Sequence, residues 1–231
     1  MLLQGEFQDC RSLWYSSNYV YLATLCAQTQ EFAAVYKPLK GENPLWDFPD
    51  GTLYRREVAA YRFSRLLGWD FIPPTVVREG PQGVGAVQLF VQHDTQLHYF
   101  EQREVPELVP QLQRMAVFDY VVNNADRKGG HCLLDKHGRV WGIDHGLCFH
   151  SQYKMRTVIW DWAEEAVPGE WLDDVSRAAA AIEAREPAAA EFASLLEPGE
   201  GGALVDRARQ LISSGRFPTP GPHRSYPWPL V

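Results

Sequence analysis

The apolar positions of this chain predict strands up to about Val91, with one helix at 52–67 among them, and from Leu108 onward mostly helices, with one hairpin at 132–144. Residues 19–26 and 31–37 are rich in β-branched and aromatic side chains and flank a polar turn at 28–30, which predicts an antiparallel hairpin. Residues 41–51 hold Pro44, Pro49 and two glycines and read as a loop. Thr52 is placed to cap a helix that Gly68 stops near Leu67, with Val58, Tyr61 and Leu66 as its apolar face. Pro73-Pro74 opens a strand at 75–78, and a glycine-rich turn leads to another at 85–91.

The second part is helical. Leu112, Met115, Phe118 and Val122 fall at helical intervals over 108–122. Residues 160–171 are aromatic and suited to a core, and 172–196 and 204–213 read as helices. The last stretch, 217–231, carries five prolines and is expected either to lie extended over the surface or to be disordered. This order predicts an α+β fold: a small antiparallel β-rich lobe (1–92), a larger helical lobe (93–216) and a Pro-rich tail (217–231), with a hinge at 90–96.

A length of 231 residues suits one large core or two small lobes. The 22 basic against 29 acidic residues, a net charge of -7, argue against nucleic acid or an anionic membrane as the main partner. Cys10, Cys26, Cys132 and Cys148 are widely spaced without a CxxC, which suits free thiols in a reducing compartment. The apolar start is broken at once by Gln4 and Glu6, so no signal peptide is expected, nor an integral membrane segment; the expected location is cytoplasmic.

The candidate chemistry lies in two segments, Asn123-Asn124-Ala125-Asp126-Arg127-Lys128-Gly129-Gly130-His131 and Gly142-Ile143-Asp144-His145-Gly146. Between them, 132–135 and 139–144 read as strands joined by the turn Lys136-His137-Gly138. A hairpin brings its outer ends together and so sets Asp126 beside Asp144. Two such carboxylates suit a metal-bound triphosphate and the hydroxyl attacking it. Asp126 would orient or deprotonate the hydroxyl and Lys128 would steady the transferred phosphoryl. Asp144 would hold the metal. The plain alternatives are a loop aspartate paired with Arg127 and a turn aspartate before Gly146. Lys37 closes an apolar strand, from which it either reaches phosphate oxygens or simply faces solvent; Glu57 on the following helix supplies the partner a buried lysine requires. His131 reads either as a second metal ligand or as a surface loop histidine, and His145 and His150 as bystanders. Ser16, Ser17 and Asn18 either present backbone N–H groups to phosphate or form a plain turn.

These residues resemble the phosphatidylinositol 3-/4-kinase superfamily, most of all its type II phosphatidylinositol 4-kinases and kinase-like proteins of actinobacteria. The family's helix-terminal Asp-Tyr pair, Asn-x-Asp-Arg loop and Ile-Asp-x-Gly motif match Asp119-Tyr120, Asn124-Ala125-Asp126-Arg127 and Ile143-Asp144-His145-Gly146. The resemblance spans about residues 16–149. It implies a protein-kinase-like, two-lobed fold and an ATP site drawn from Ser16, Ser17, Asn18, Val35, Lys37 and Glu57. Gln88, Leu89, Phe90 and Val91 would be the adenine hinge. The family's asparagine metal ligand falls on His131, which moves the implied ion from Mg2+ toward Mn2+. The clustered cysteines and basic face of the lipid enzymes are absent, while Lys154 and Arg156 stand where an anionic acceptor would pass. The expected activity is transfer of the γ-phosphate of ATP to a hydroxyl of a protein or small molecule (inositol-like, for instance), ahead of a lipid. A nucleotide-binding pseudokinase and a nucleotidyl transferase are the alternatives.

Overall fold

The turn at Gln28 and Thr29, both at positive φ (51° and 73°), closes a two-residue hairpin loop of the kind that matches strand twist. It joins β2 (Val20–Ala27) to β3 (Gln30–Pro38) and sets Ala23 opposite Ala34 and Tyr21 opposite Tyr36. Residues 1–13, 18–222 and 224–231 are described by the structure, a computed structural model. Because strand side chains alternate, Ala34 and Tyr36 are buried on one face with Ala23, Leu25 and Val87. Val35 and Lys37 emerge on the other face, into a cleft against the helical lobe.

The sheet is completed by β1 (Glu6–Leu13), β4 (Thr75–Gly80) and β5 (Gly83–Leu89), all antiparallel in the order β1-β2-β3-β5-β4. The alternation of apolar residues does not announce β1: it is an edge strand in which Glu6, Gln8, Asp9 and Arg11 stay exposed. Arg78 closes the outer face, donating from Nη1 to the Leu2 and Gly5 carbonyls at 2.6 and 2.8 Å and lying 4.9 Å from the Phe7 ring centre. Where β3 ends, a Cβ on Gly85 would stand 2.5 Å from the Lys37 carbonyl oxygen. A residue without a side chain is therefore required for β5 to approach the strand that presents Lys37.

Helix α1 (Leu53–Leu67) ends at Gly68, whose φ of 75° supplies the left-handed cap. It starts directly after Thr52, as expected, but the Thr52 side chain does not cap it. The Thr52 hydroxyl donates to the Pro49 carbonyl, and the Glu42 carboxylate, from the preceding loop, accepts the Leu53 and Tyr54 N–H groups at 3.2 and 2.7 Å. The buried face also differs, running through Arg56, Glu57, Ala60, Phe63, Ser64 and Leu67, with Val58 buried but Tyr61 and Leu66 only partly covered. Charged Arg56 and Glu57 can be buried because both are paired. Arg56 donates to Glu200 Oε1 at 2.8 Å and to the Cys148 carbonyl at 2.6 Å, which fastens α1 to the helical lobe.

That lobe contains α2 (Tyr99–Gln102), α3 (Val109–Val122), the hairpin β6 (Cys132–Leu134) and β7 (Val140–Gly142), α4 (Gly169–Glu183), α5 (Pro187–Ala193) and α6 (Glu200–Ser214). Leu112, Met115, Phe118 and Val122 of α3 are fully buried. Its core continues into α1 through Ala59, Ala60, Phe63 and Leu67. The single helix expected over 172–196 is two, because Arg185 turns to a φ of 53° and Pro187 begins α5. Among the described residues, no helix is long and apolar enough to cross a membrane.

The cysteines are free, with Cys132 and Cys148 buried and Cys10 and Cys26 partly exposed. Burial pushes the Cys132 thiol up to about 12 and Cys148 well above the usual thiol range. Two cysteines are therefore expected to react with a maleimide in the folded protein and two more only on unfolding, as mass spectrometry of the labelled peptides would read directly.

Candidate active site

Three elements bring the charged side chains of the cleft together. Lys37, leaving the end of β3, forms an ion pair with Glu57 of α1 and a second with Asp144 Oδ1 at 2.9 Å. Glu57 is 4% exposed and spends its other oxygen on the His145 N–H, at 3.1 Å. One carboxylate thus joins the sheet, α1 and the loop after β7. The pairing answers the choice left open for Lys37, which faces the cleft rather than solvent. Its ammonium is held charged because the attraction of Asp144 and Glu57 exceeds the penalty of burial.

Asp144 adopts a φ of 61°, a left-handed conformation uncommon for a residue with a side chain. Its carboxylate is 48% exposed, and the neighbouring Lys37 holds it far below the usual carboxylate range. Asp126 behaves oppositely. Burial raises its affinity for a proton and nearby Asp144 adds to the rise, against the pull of Lys128, whose Nζ lies 3.3 Å from Asp126 Oδ2. Two carboxylates facing one cleft with proton affinities driven apart are suited to separate duties, one fully ionised and one able to exchange a proton.

The loop carrying Asp126 is built from below. Asn123 caps α3 in the left-handed conformation (φ 57°), and its side chain donates to the His150 and Gln152 carbonyls and accepts the Lys154 N–H. Asn124 donates to Asp119 Oδ1 at 2.9 Å and accepts the Asp126 N–H at 3.0 Å. Arg127 does not pair with Asp126. It is fully buried and grips Asp119 through two bonds, Nε to Oδ2 at 2.8 Å and Nη2 to Oδ1 at 2.9 Å. Arg127 Nη2 also donates to His145 Nε2, 2.7 Å away. Far from being a bystander, His145 is buried at the junction of both loops, and burial keeps it neutral. Asp119, Asn123, Asn124 and His145 were not assigned these positions from the sequence. The Asp-Tyr and Asn-x-Asp-Arg patterns were the signal that could have led to the first and third.

Lys128 N–H donates to His131 Nδ1 at 3.4 Å, so the ring carries its proton on Nε2, 3.3 Å from Asp144 Oδ2. Burial lowers His131 to about 4, leaving a neutral imidazole beside the carboxylate. Lys154 is taken up by Asp47 at 3.0 Å and stands over Trp46, so it is not free to meet an acceptor; the half-buried Arg156 lies near Asp126. Asn18 accepts the Asn43 N–H at 2.8 Å, whereas Ser16 and Ser17 lie outside the described residues.

The cleft has a volume of about 440 Å³. Val20, Val35, Leu89, Leu133 and Ile143 make it apolar at one side, and Lys37, Asp126, Lys128 and Asp144 make it charged at the other. At the hinge, Gln88 points into the protein and donates to Thr75 Oγ1, while the Leu89 and Phe90 N–H groups bond to the Pro74 and Ala33 carbonyls. Val91 is the first hinge residue whose N–H the sheet does not take, and its carbonyl accepts from His93 Nδ1 at 2.9 Å. A flat heterocycle fits the apolar side and a polyphosphate the charged one. For a hard cation, Asp144 is a suitable ionised oxygen donor, since magnesium takes one or two carboxylates with phosphate oxygens. His131 is a nitrogen donor suited to softer ions.

The family model for phosphatidylinositol 3- and 4-kinase matches residues 75–184. Protein Rv2133c of Mycobacterium tuberculosis is 37% identical, over 99% of this chain and 94% of its own length. Phosphatidylinositol 4-kinase gamma 4 of Oryza sativa subsp. japonica is 32% identical over 46% of this chain, a match that spans only 22% of the plant protein. The crystal structure of the Helicobacter pylori proinflammatory kinase CtkA shares the fold, with a TM-score of 0.53 at 12% identity and 94% of each chain covered.

Proposed function

The chain belongs to the phosphatidylinositol 3-/4-kinase-like superfamily and has its two-lobed, kinase-like fold, and from that premise we propose that it transfers the γ-phosphate of ATP to a hydroxyl. The observation that carries this reading is the double pairing of Lys37 with Glu57 and Asp144 in the same cleft that Asp126 and Lys128 line.

In this reading the adenine lies between Val35 and Leu133, against the hinge formed by Gln88, Leu89, Phe90 and Val91. Lys37 holds phosphate oxygens, and Glu57 fixes Lys37. Asn18, which lines the adjoining pocket together with Lys37 and Asp144, stands beside the phosphates. Asp126, its proton affinity raised, accepts the proton of the attacking hydroxyl, and Lys128 neutralises charge on the phosphoryl group in flight. Asp144 would hold Mg2+ or Mn2+, and His131 would be a second ligand where the ion is Mn2+. When bound, such an ion would supply charge neutralisation for the phosphates. The acceptor is a protein or small-molecule hydroxyl ahead of a lipid, because the sequence offers no basic membrane face.

One observation favours a second reading, a nucleotide-binding regulatory module. His131 donates to the very carboxylate that would take the ion, and the family resemblance puts it where those kinases carry a metal-binding asparagine. ATP labelled at the α- or the γ-phosphate separates the outcomes. Kinase chemistry moves the γ label to an acceptor or to phosphate and leaves the α label in ADP. An α label appearing on protein or acceptor would overturn it in favour of nucleotidyl transfer. Nucleotide binding with neither label moved would overturn it in favour of the regulatory module.

A further inference from the structure

The Pro-rich stretch singled out in the sequence is docked, and where it docks bears on the Asp126 loop. Phe217 is buried and exchanges backbone bonds with Glu164 and Glu165 at 3.1 and 2.9 Å. Further on, Ser225 and Pro227 are buried. The Ser225 carbonyl accepts the Thr157 N–H at 3.0 Å and the Trp160 Nε1–H at 3.2 Å. The Leu230 carbonyl accepts the Gly129 N–H at 2.7 Å. Residues 156–158 in turn hold Arg127, whose N–H donates to the Arg156 carbonyl at 3.0 Å and whose carbonyl accepts the Val158 N–H at 3.1 Å. The loop bearing Asp126 and Lys128 is thus gripped twice: through 156–158 before Lys128 and directly at Gly129 after it.

We propose that residues 224–231 are a positioning element that clamps the Asp126–Lys128 loop in the arrangement seen in the cleft; the consequence for turnover rests on the kinase reading, the clamp itself does not. Exposed backbone bonds at the base of a loop set how often it opens. Gly129 begins a single helical turn after an extended Lys128 (φ -93°, ψ 162°), with no side chain of its own to hold it in place. Without Leu230 its N–H would face solvent, and Lys128, one residue before, would lose a fixed direction toward Asp126. The groups that touch the nucleotide and acceptor are unchanged, so the segment acts through Lys128 and Asp126 rather than on the reacting atoms.

The test compares the full chain with a chain ending at Pro222, by hydrogen–deuterium exchange over 124–131 and by ATP turnover. Truncation is expected to speed exchange at 127–130 by at least about ten-fold, to lower kcat and to leave the KM for ATP near its starting value. A synthetic peptide of residues 217–231 added back should restore protection. If the truncated chain does not fold, Gly129→Pro takes its place: proline is tolerated at the first position of a helical turn, and it removes only the N–H given to Leu230. Gly129→Ala, which retains that N–H, is its control. Unchanged exchange over 124–131 in the truncated chain or in Gly129→Pro overturns the clamp. A full chain that turns over no ATP overturns the kinase reading alone, since the exchange measurement still decides the clamp.

Discussion

Asp126→Asn is expected to lower γ-phosphate transfer by about 10²–10⁴-fold, the range that positioned proton transfer supplies. Nucleotide affinity should change little. The substitution keeps the size of the side chain and the Asn124 bond to its N–H, so the loop stays in place. What it removes is the group whose burial raises its affinity for a proton and which lies 3.3 Å from Lys128. Measured as kcat and KM for ATP, the loss should fall on kcat. A loss that fell on KM instead would place Asp126 in nucleotide binding rather than at the acceptor.

Asp119→Ala is expected to be the most destabilising single change near the cleft. Asp119 and Arg127 are both fully buried, and the alanine would leave the guanidinium without the two bonds it donates to Asp119. Removing one partner of such a pair costs about 3–5 kcal/mol. In a chain of this length that is on the order of 10 °C in melting temperature. Replacing both partners, Asp119→Leu with Arg127→Met, should recover only part of this stability, because two apolar groups need no partner but buried Asn124 and His145 each lose one. It should not recover turnover, because the Asp126 loop would lose its link to His145 and to the base of α3. Denaturant unfolding and ATP turnover of the single and double variants together separate holding the fold from holding the loop.

What could be read from the sequence followed the physics of each element. The β2–β3 hairpin, α1, α3 and the β6–β7 hairpin have strong periodicity or turn chemistry, and each lies within a few residues of its expected place. From the second hairpin alone came the expectation that Asp126 sits beside Asp144, and the two line one cleft. β1 was missed because an edge strand keeps polar residues on both sides and so lacks an alternating pattern. The buried face of α1 was misplaced because hydropathy ranks Arg56 as a surface residue. Pairing with Glu200 is what takes it inside, and no local pattern records a partner 144 positions away. The helix starts directly after Thr52, as expected, but the side chain that caps it is that of Glu42, eleven and twelve positions before the N–H groups it accepts.

The candidate site divides along the same line. Lys37, Glu57, Asp126 and Asp144 were legible because each sits at a defined point of a regular element or beside one. The residues that hold them, Asp119, Asn123, Asn124, Arg127 and His145, act through loop geometry. A loop leaves no period in the sequence, and the contacts between Asp119, Arg127 and His145 exist only once α3 and both loops are packed. The docking of 217–231 was hidden in the same way. Its grip is made by the backbone carbonyls of Ser225 and Leu230, a property every residue shares.

The central claim, that this cleft turns over ATP, is tested most directly by measuring ADP formation by the purified chain in Mg2+ and in Mn2+ beside the Asp144→Ala variant. The account predicts turnover with at least one of the two ions and its loss in the variant, with the variant still folded. Turnover that survives unchanged without the Asp144 carboxylate, or none with either ion, would contradict it.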